Sequence, residues 1–138
     1  MLAEFKKFDH DHEKKTACKM AEHGYNVLFV PKSFFPNLGK RFDVFLCKEN
    51  VMLQADLKSL TTKNPDTIAK RIKEGSDQAN RIVLDINSDI NTNDLITGLR
   101  SGCARNDKLI EIILLFKSRC YFLLKEKVMS NRIFNEFK

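Results

Sequence analysis

RFDVFLCKENVMLQADLKSL, residues 41–60, alternates apolar and polar residues on either side of a polar centre at Glu49-Asn50. Side chains of a strand point alternately to its two faces, so the stretch reads as a β-hairpin. With the turn at Glu49-Asn50, Val44 faces Ala55 and Asp43 faces Asp56. Phe42, Val44 and Leu46 then share one apolar face with Leu53, Ala55 and Leu57, and Lys58 joins the two aspartates on the other. Directly opposed β-carbons lie ~4.5–5.5 Å apart, and two carboxylates at that separation repel by roughly 3 kcal/mol at an effective dielectric of ~20. A divalent cation between them reverses the repulsion, and an all-oxygen donor set suits magnesium or manganese. Lys58 beside such a cation would orient or deprotonate water and stabilise developing negative charge, as metal-assisted cleavage of a phosphodiester requires. The competing reading places both aspartates at strand ends in solvent, paired with Arg41 and Lys58.

The flanking sequence gives the order of elements. Asp11 to His23 carries Ala17, Cys18, Met20 and Ala21 at helical spacing, and Gly24 stands where a C-cap glycine belongs. NVLFV, residues 26–30, is a β-rich run stopped by Pro31, and FFPNLGK is a loop punctuated by Pro36 and Gly39. Pro65-Asp66 opens a second helix running to about Asn80, with Ile68, Ala69, Ile72 and Ala79 on one side and Lys70, Arg71, Lys73 and Glu74 on the other. RIVLDI (81–86) reads as a buried strand and NTNDLITGLRSGCAR (91–105) as a helix capped by Asn91 or Thr92. LIEIILLF and CYFLLKEK form a terminal hairpin turning at Lys117 to Arg119, and MSNRIFNEF adds a helical turn or two. The order is α-β-β-β-α-β followed by a helix and a hairpin.

At 138 residues and 43% hydrophobic, the chain suits a single domain with its own core, spanning residues 1–138. Its 24 basic against 18 acidic residues give a net charge of +6, which favours anionic partners. The four cysteines form no CxxC pair and sit among apolar neighbours, so buried free thiols and a reducing compartment are expected and a zinc site is not. LIEIILLF, the longest apolar run, falls far short of the ~20 residues a membrane-spanning helix needs, and the N-terminus lacks a signal-peptide core. A soluble chain with no membrane partner is expected.

The spacing of Asp43, Asp56 and Lys58 on the second and third strands of an αβββαβ core resembles the PD-(D/E)XK nuclease superfamily. HEKKTACKMAEHGYNVLFVP, FDVFL, ADLKSL and IAKRIKEGSDQANRIVLDI are similar, more narrowly, to the C-terminal tRNase toxin domain of contact-dependent growth inhibition (CdiA) proteins. That resemblance implies an α/β fold with a mixed central sheet flanked by helices, an extra helix and a C-terminal β-hairpin. It implies that Asp43 and Asp56 bind Mg2+ or Mn2+ with the Leu57 carbonyl and Glu13, that Lys58 is the catalytic lysine, and that Gln78 on the second helix faces the site. Phe42 stands where the motif has proline, and Asp56 where glutamate is more common. The function implied is a metal-dependent endonuclease cutting tRNA in the cytoplasm of a target bacterium. Such a domain is delivered as the C-terminal part of a secreted or cell-surface protein and is blocked by a cognate immunity protein. The same fold could instead cut DNA, or could serve as a noncatalytic nucleic-acid-binding domain.

Lys63, Lys70, Arg71, Lys73 and Arg81 could track a phosphate backbone, with Lys40 and Arg41 on the approach and Phe34 and Phe35 able to stack on bases. The common alternative is a solvated helix face. HDHE (10–13) reads as a solvated helix start, and His23 as a residue meeting free carbonyls at the helix end. DINSDINTNDLI imitates a calcium loop but has Ile90 and Ile96 where glycine and glutamate are needed, so a strand end and helix cap are preferred. Gly98 and Gly102 at GxxxG spacing suggest close helix packing.

Overall fold

A computed structural model of the chain describes residues 11–29 and 44–137. The order is α1 (Asp11–Glu22), β1 (Asn26–Phe29), β2 (Val44–Lys48), β3 (Val51–Leu60), α2 (Pro65–Ser76), β4 (Arg81–Ile86), α3 (Thr92–Ala104), β5 (Glu111–Phe116), β6 (Arg119–Leu124), α4 (Lys125–Val128) and α5 (Ile133–Glu136). The described strands form one mixed sheet in sequence order. β1, β2 and β3 are antiparallel, β3, β4 and β5 parallel, and β6 returns antiparallel. The parallel steps need long crossovers, which α2 and α3 supply.

The central hairpin turns at Glu49-Asn50, and Val44 pairs with Ala55 and Leu46 with Leu53. Glu49 takes the left-handed conformation (φ 55°) that a two-residue turn demands. Among the described residues, β3 pairs with β2 over Val51 to Ala55 and with β4 over Asp56 to Leu60. The sheet curls between those halves. The Tyr25 ring, just before β1, lies 6.0 Å from the Phe122 ring on β6. In a flat sheet the two outer strands would be about 24 Å apart at the usual strand spacing.

Each face buries its own core. Inside the curl, Ala17 and Met20 of α1 pack on Val27, Phe29, Val44, Leu46, Ala55, Leu57, Val83, Ile113 and Leu115. On the outer face α2, α3, α4 and α5 cover Leu60, Ile82, Leu84, Ile86, Ile112, Leu114 and Leu123. The expected GxxxG contact is realised there: a Cβ on Gly98 would meet Ile68 at 2.9 Å, and one on Gly102 would meet Ile72 at 2.7 Å.

Helix starts follow the capping logic of the sequence. The Asn64 side chain accepts from the Asp66 amide ahead of Pro65, and Asn91 accepts from the Asp94 amide. Gly24 closes α1 with φ 93°. Three boundaries and one burial expectation are corrected. α2 ends at Ser76, so Gln78 stands in the turn beyond it, where its backbone N–H donates to the Gly75 carbonyl. The last strand ends at Leu124 and Lys125 starts a helical turn, its ammonium donating to the Asn106 carbonyl. Two short helices, rather than one, then close the chain, tied to α3 by Arg100, which donates to the carbonyls of Val128 and Ser130. Of the four thiols expected to be buried only Cys103 is: Cys18 is exposed, because α1 turns Thr16, Ala17 and Met20 inward, and Cys47 and Cys120 are half-buried. The loop expected over residues 34–40, Arg41 beside it and Asp43 lie outside the described residues.

Candidate active site

β3 carries an acid and a base on the face beneath α2. Asp56 and Lys58 are two residues apart and therefore point the same way, beside Ile82 and Leu84 of β4. Asp56 is buried, and Lys58 Nζ lies 3.1 Å from its Oδ2 with 18% of the lysine side chain exposed. The ammonium offsets the cost of burying the carboxylate and opens the pair to solvent at one end. Gly75 of α2 roofs the acid: a Cβ there would stand 3.0 Å from Asp56 Oδ2 and 3.0 Å from the Ile82 Cδ1. Glycine lets the helix backbone approach that oxygen more closely than any other residue would.

The remaining predicted site residues are distributed as follows. Asp43 is outside the described residues, although the Glu49-Asn50 turn on which its expected pairing with Asp56 depends is the turn observed. Leu57 buries its side chain on the α1 face, which leaves only its backbone for a ligand. Glu13 is half-buried one turn before Ala17, on a helix that packs against the face opposite Asp56. Gln78 is half-buried, three residues past Gly75. Among the described residues, no three His, Cys, Asp or Glu side chains are placed to hold a metal ion. Asp56 itself offers a hard cation one anionic oxygen donor.

The basic residues divide. Lys70 and Lys73 are exposed on α2, and Arg71 lies beside Glu74 at 3.4 Å. Lys63 reaches Asp89 at 2.6 Å across the end of the sheet, and this hydrogen bond holds the Asp89 carboxyl below its usual range. Arg81 alternates with Val83 and Asp85, which turns it to the α1 face, where it pairs with Glu111 at 3.0 Å. Arg81 is therefore not brought together with Lys58.

A second polar cluster lies on the α1 face and was not foreseen. Asp85, read from sequence as part of a strand end, is buried inside β4. Thr16 Oγ1 donates to its Oδ2 at 2.8 Å and Lys19 Nζ to its Oδ1 at 2.7 Å. Lys19 also donates to Asn87 Oδ1 at 2.6 Å, and Asn87 donates to Ser59 Oγ at 3.1 Å, joining α1, β4 and β3. The available signal was one acid inside the apolar run RIVLDI, in phase with Val83.

Comparison with curated proteins and with solved structures finds no match. Residues 52–120 match the family described as Contact-dependent growth inhibition CdiA C-terminal domain, which is half of the chain. The chain belongs to that family. CdiA C-terminal domains are toxin domains, typically nucleases, that form part of cell-surface delivered proteins, act in target cells and pair with immunity proteins. The matched span of this CdiA C-terminal domain contains Asp56, Lys58 and Gln78 as well as Asp85 and Asn87, and leaves out Glu13 and Asp43. Among the described residues no helix is long and apolar enough to cross a membrane.

Proposed function

We propose that this CdiA C-terminal domain is a metal-dependent endonuclease of the PD-(D/E)XK type that cleaves tRNA in the cytoplasm of a target bacterium, and that a cognate immunity protein blocks it. The observation that carries the reading is the Asp56–Lys58 pair, buried on the third strand of an α-β-β-β-α-β order within the span matched to a family of typical nucleases.

Asp56 would hold the cation with Asp43 and the Leu57 carbonyl; Glu13, whose helix packs against the opposite face of the sheet, would stand outside this ligand set. A magnesium or manganese ion there would supply positive charge and a water of lowered pKa. Lys58 would stabilise negative charge on the phosphate as the leaving oxygen departs, and its anchoring to Asp56 holds the ammonium in place beforehand. Gln78 would hydrogen-bond substrate or water from the turn after α2. Lys63, Lys70, Arg71 and Lys73 would contact the backbone along one side; Arg81, held by Glu111 on the other face, would contribute only through a substrate that reaches around the sheet.

The test is cleavage of total tRNA, ribosomal RNA and plasmid DNA by the purified chain, in magnesium and in chelator, with Asp56→Asn and Lys58→Ala as folded controls. Magnesium-dependent cutting of tRNA that both variants lose is the expected result. Cutting of duplex DNA alone would reassign the polymer, and no cutting of any substrate would leave a nucleic-acid-binding domain without catalysis.

A further inference from the structure

We propose that the cleft between the C-terminal half of α1 and the β5–β6 turn is a second anion subsite, which takes a backbone phosphate of the nucleic acid the toxin acts on. The substrate class rests on the nuclease reading above; the subsite itself rests on the cleft.

The cleft encloses about 510 Å3 and is lined by Lys19, Asn87, Ser88, Lys117, Ser118 and Arg119, with Glu22 and Asp89 as its acids. Its charges are unevenly matched. Lys19 is held by buried Asp85, and Asp89 is held by Lys63. Among the described residues, neither Lys117 nor Arg119 takes part in an ion pair; the Lys117 ammonium lies 5.1 Å from the centre of the Phe116 ring and its charge also reaches Asp89, so the lip keeps two cations against the exposed Glu22 and the Asp89 already held by Lys63. The Ser118 hydroxyl beside two cations forms a donor set for a phosphate, while the Ser88 hydroxyl and the Asn87 amide are engaged by Thr62, Ser59 and Asp85.

The turn that carries the lip is conformationally costly. Lys117 and Ser118 both take left-handed backbone, φ 50° and 65°. A two-residue turn of this kind is easiest for Asn-Gly, and each other residue forced into it costs on the order of 1 kcal/mol. The chain instead keeps a cation and a hydroxyl at the tip, followed by Arg119. Strain retained at an exposed turn where simpler residues would serve points to work done by those side chains.

The position also suits a long ligand. The cleft opens at the C-terminal ends of parallel β4 and β5, at Ile86 and Phe116. Lys58 pairs with Leu84, so about 10 Å of strand separates its level from Asn87. The rim between them is braced by Ser88 Oγ donating to the Thr62 carbonyl and by the Lys63–Asp89 contact. A polymer crossing this rim would meet Lys63 on the way from Lys58 to Lys117 and Arg119.

The experiment is tRNA binding by fluorescence anisotropy across a salt series in chelator, using the full chain, Lys117→Ala/Arg119→Ala, the single reversal Arg119→Glu, and Lys108→Ala as a control at the other end of β5. Removing two phosphate contacts should weaken binding about 10-fold or more near 0.15 M salt and flatten the log–log salt slope by roughly 1 to 2 units. Arg119→Glu should move both the same way and Lys108→Ala neither. Unchanged affinity and slope in the folded double variant and in Arg119→Glu would overturn the proposal. Inorganic phosphate titrated against the amide signals of residues 117–119 separates the sources: shifts with phosphate but an unmoved tRNA slope would also overturn it. A wild-type chain that cuts nothing, while the variants still lose slope, would sink the nuclease reading and keep the cleft.

Discussion

Lys58 Nζ sits 3.1 Å from Oδ2 of Asp56, and the carboxylate of that pair is buried while the ammonium reaches the surface. The asymmetry separates stability from activity. Asp56→Asn keeps the shape and removes the charge, so cleavage should fall by about 100-fold or more with little change in Tm. Lys58→Met leaves the carboxylate buried without its ammonium and should lower both activity and stability, the latter by roughly 1–3 kcal/mol. Single-turnover rates and urea midpoints for the two variants check this; equal stability losses would contradict it.

Gly75 gives a sharper test of the same spot. Alanine is favoured over glycine within a helix by about 1 kcal/mol, but here its Cβ would meet Asp56 Oδ2 and Ile82 at 3.0 Å. The two effects oppose each other, so Gly75→Ala should hold stability within roughly 1 kcal/mol while activity drops. Gly102→Ala, whose Cβ would lie 2.7 Å from Ile72 in the α2–α3 contact, should instead lose about 1–3 kcal/mol at unchanged activity per folded molecule. Denaturation and rate measurements on both variants distinguish a glycine that lies against the acid of the site from one that lets helices approach.

What the sequence disclosed follows from local periodicity. The hairpin register was legible because a strand repeats every two residues, so Val44, Leu46, Leu53, Ala55 and Leu57 fix which face is buried. Pro65-Asp66 and Asn91 marked helix starts by their residue types, whereas the Asn64 cap ahead of Pro65 emerged only from the structure. The Asp85 cluster was hidden, because Thr16 and Lys19 lie 69 and 66 residues away in sequence and meet it only when α1 nests in the curled sheet. Arg81 was grouped with the α2 lysines by proximity, although its alternation with Val83 already assigned it to the other face. The curl that brings Tyr25 to Phe122 leaves no local trace at all.

The Asp85 network predicts a coupling. Lys19→Met should destabilise the fold by about 2–3 kcal/mol, since Asp85 would keep a buried charge with its ammonium partner gone. Adding Asp85→Asn should restore part of that loss, because a buried amide costs less than a buried carboxylate. A double-mutant cycle on urea unfolding reads the coupling directly, and strictly additive losses would show that the contact contributes little.

The thiols predict a pH dependence. Burial pushes Cys103 up to about 11 from 9.0. The folded chain therefore holds that proton where the unfolded chain releases it, so the stabilisation is complete below pH 9 and declines as pH rises from 9 towards 11. The decline attributable to Cys103 is at most about 1.4 kcal/mol per pH unit. Unfolding midpoints at pH 8 and pH 10.5 should diverge more for the wild type than for Cys103→Ala. In native buffer, exposed Cys18 should react with a thiol reagent well before Cys103.

The β5–β6 turn sets stability against binding. Lys117 and Ser118 occupy left-handed positions that Asn-Gly adopts at lower cost. Lys117→Asn/Ser118→Gly should raise stability by about 1 kcal/mol, since the hairpin keeps the register Phe116↔Arg119 and loses strain. The same change removes one cation from the lip of the cleft, so the salt slope of tRNA binding should flatten by roughly 1 unit. Opposite signs in the two measurements would mean that the strain is maintained for the ligand; a stability gain with binding untouched would make the turn a matter of folding alone.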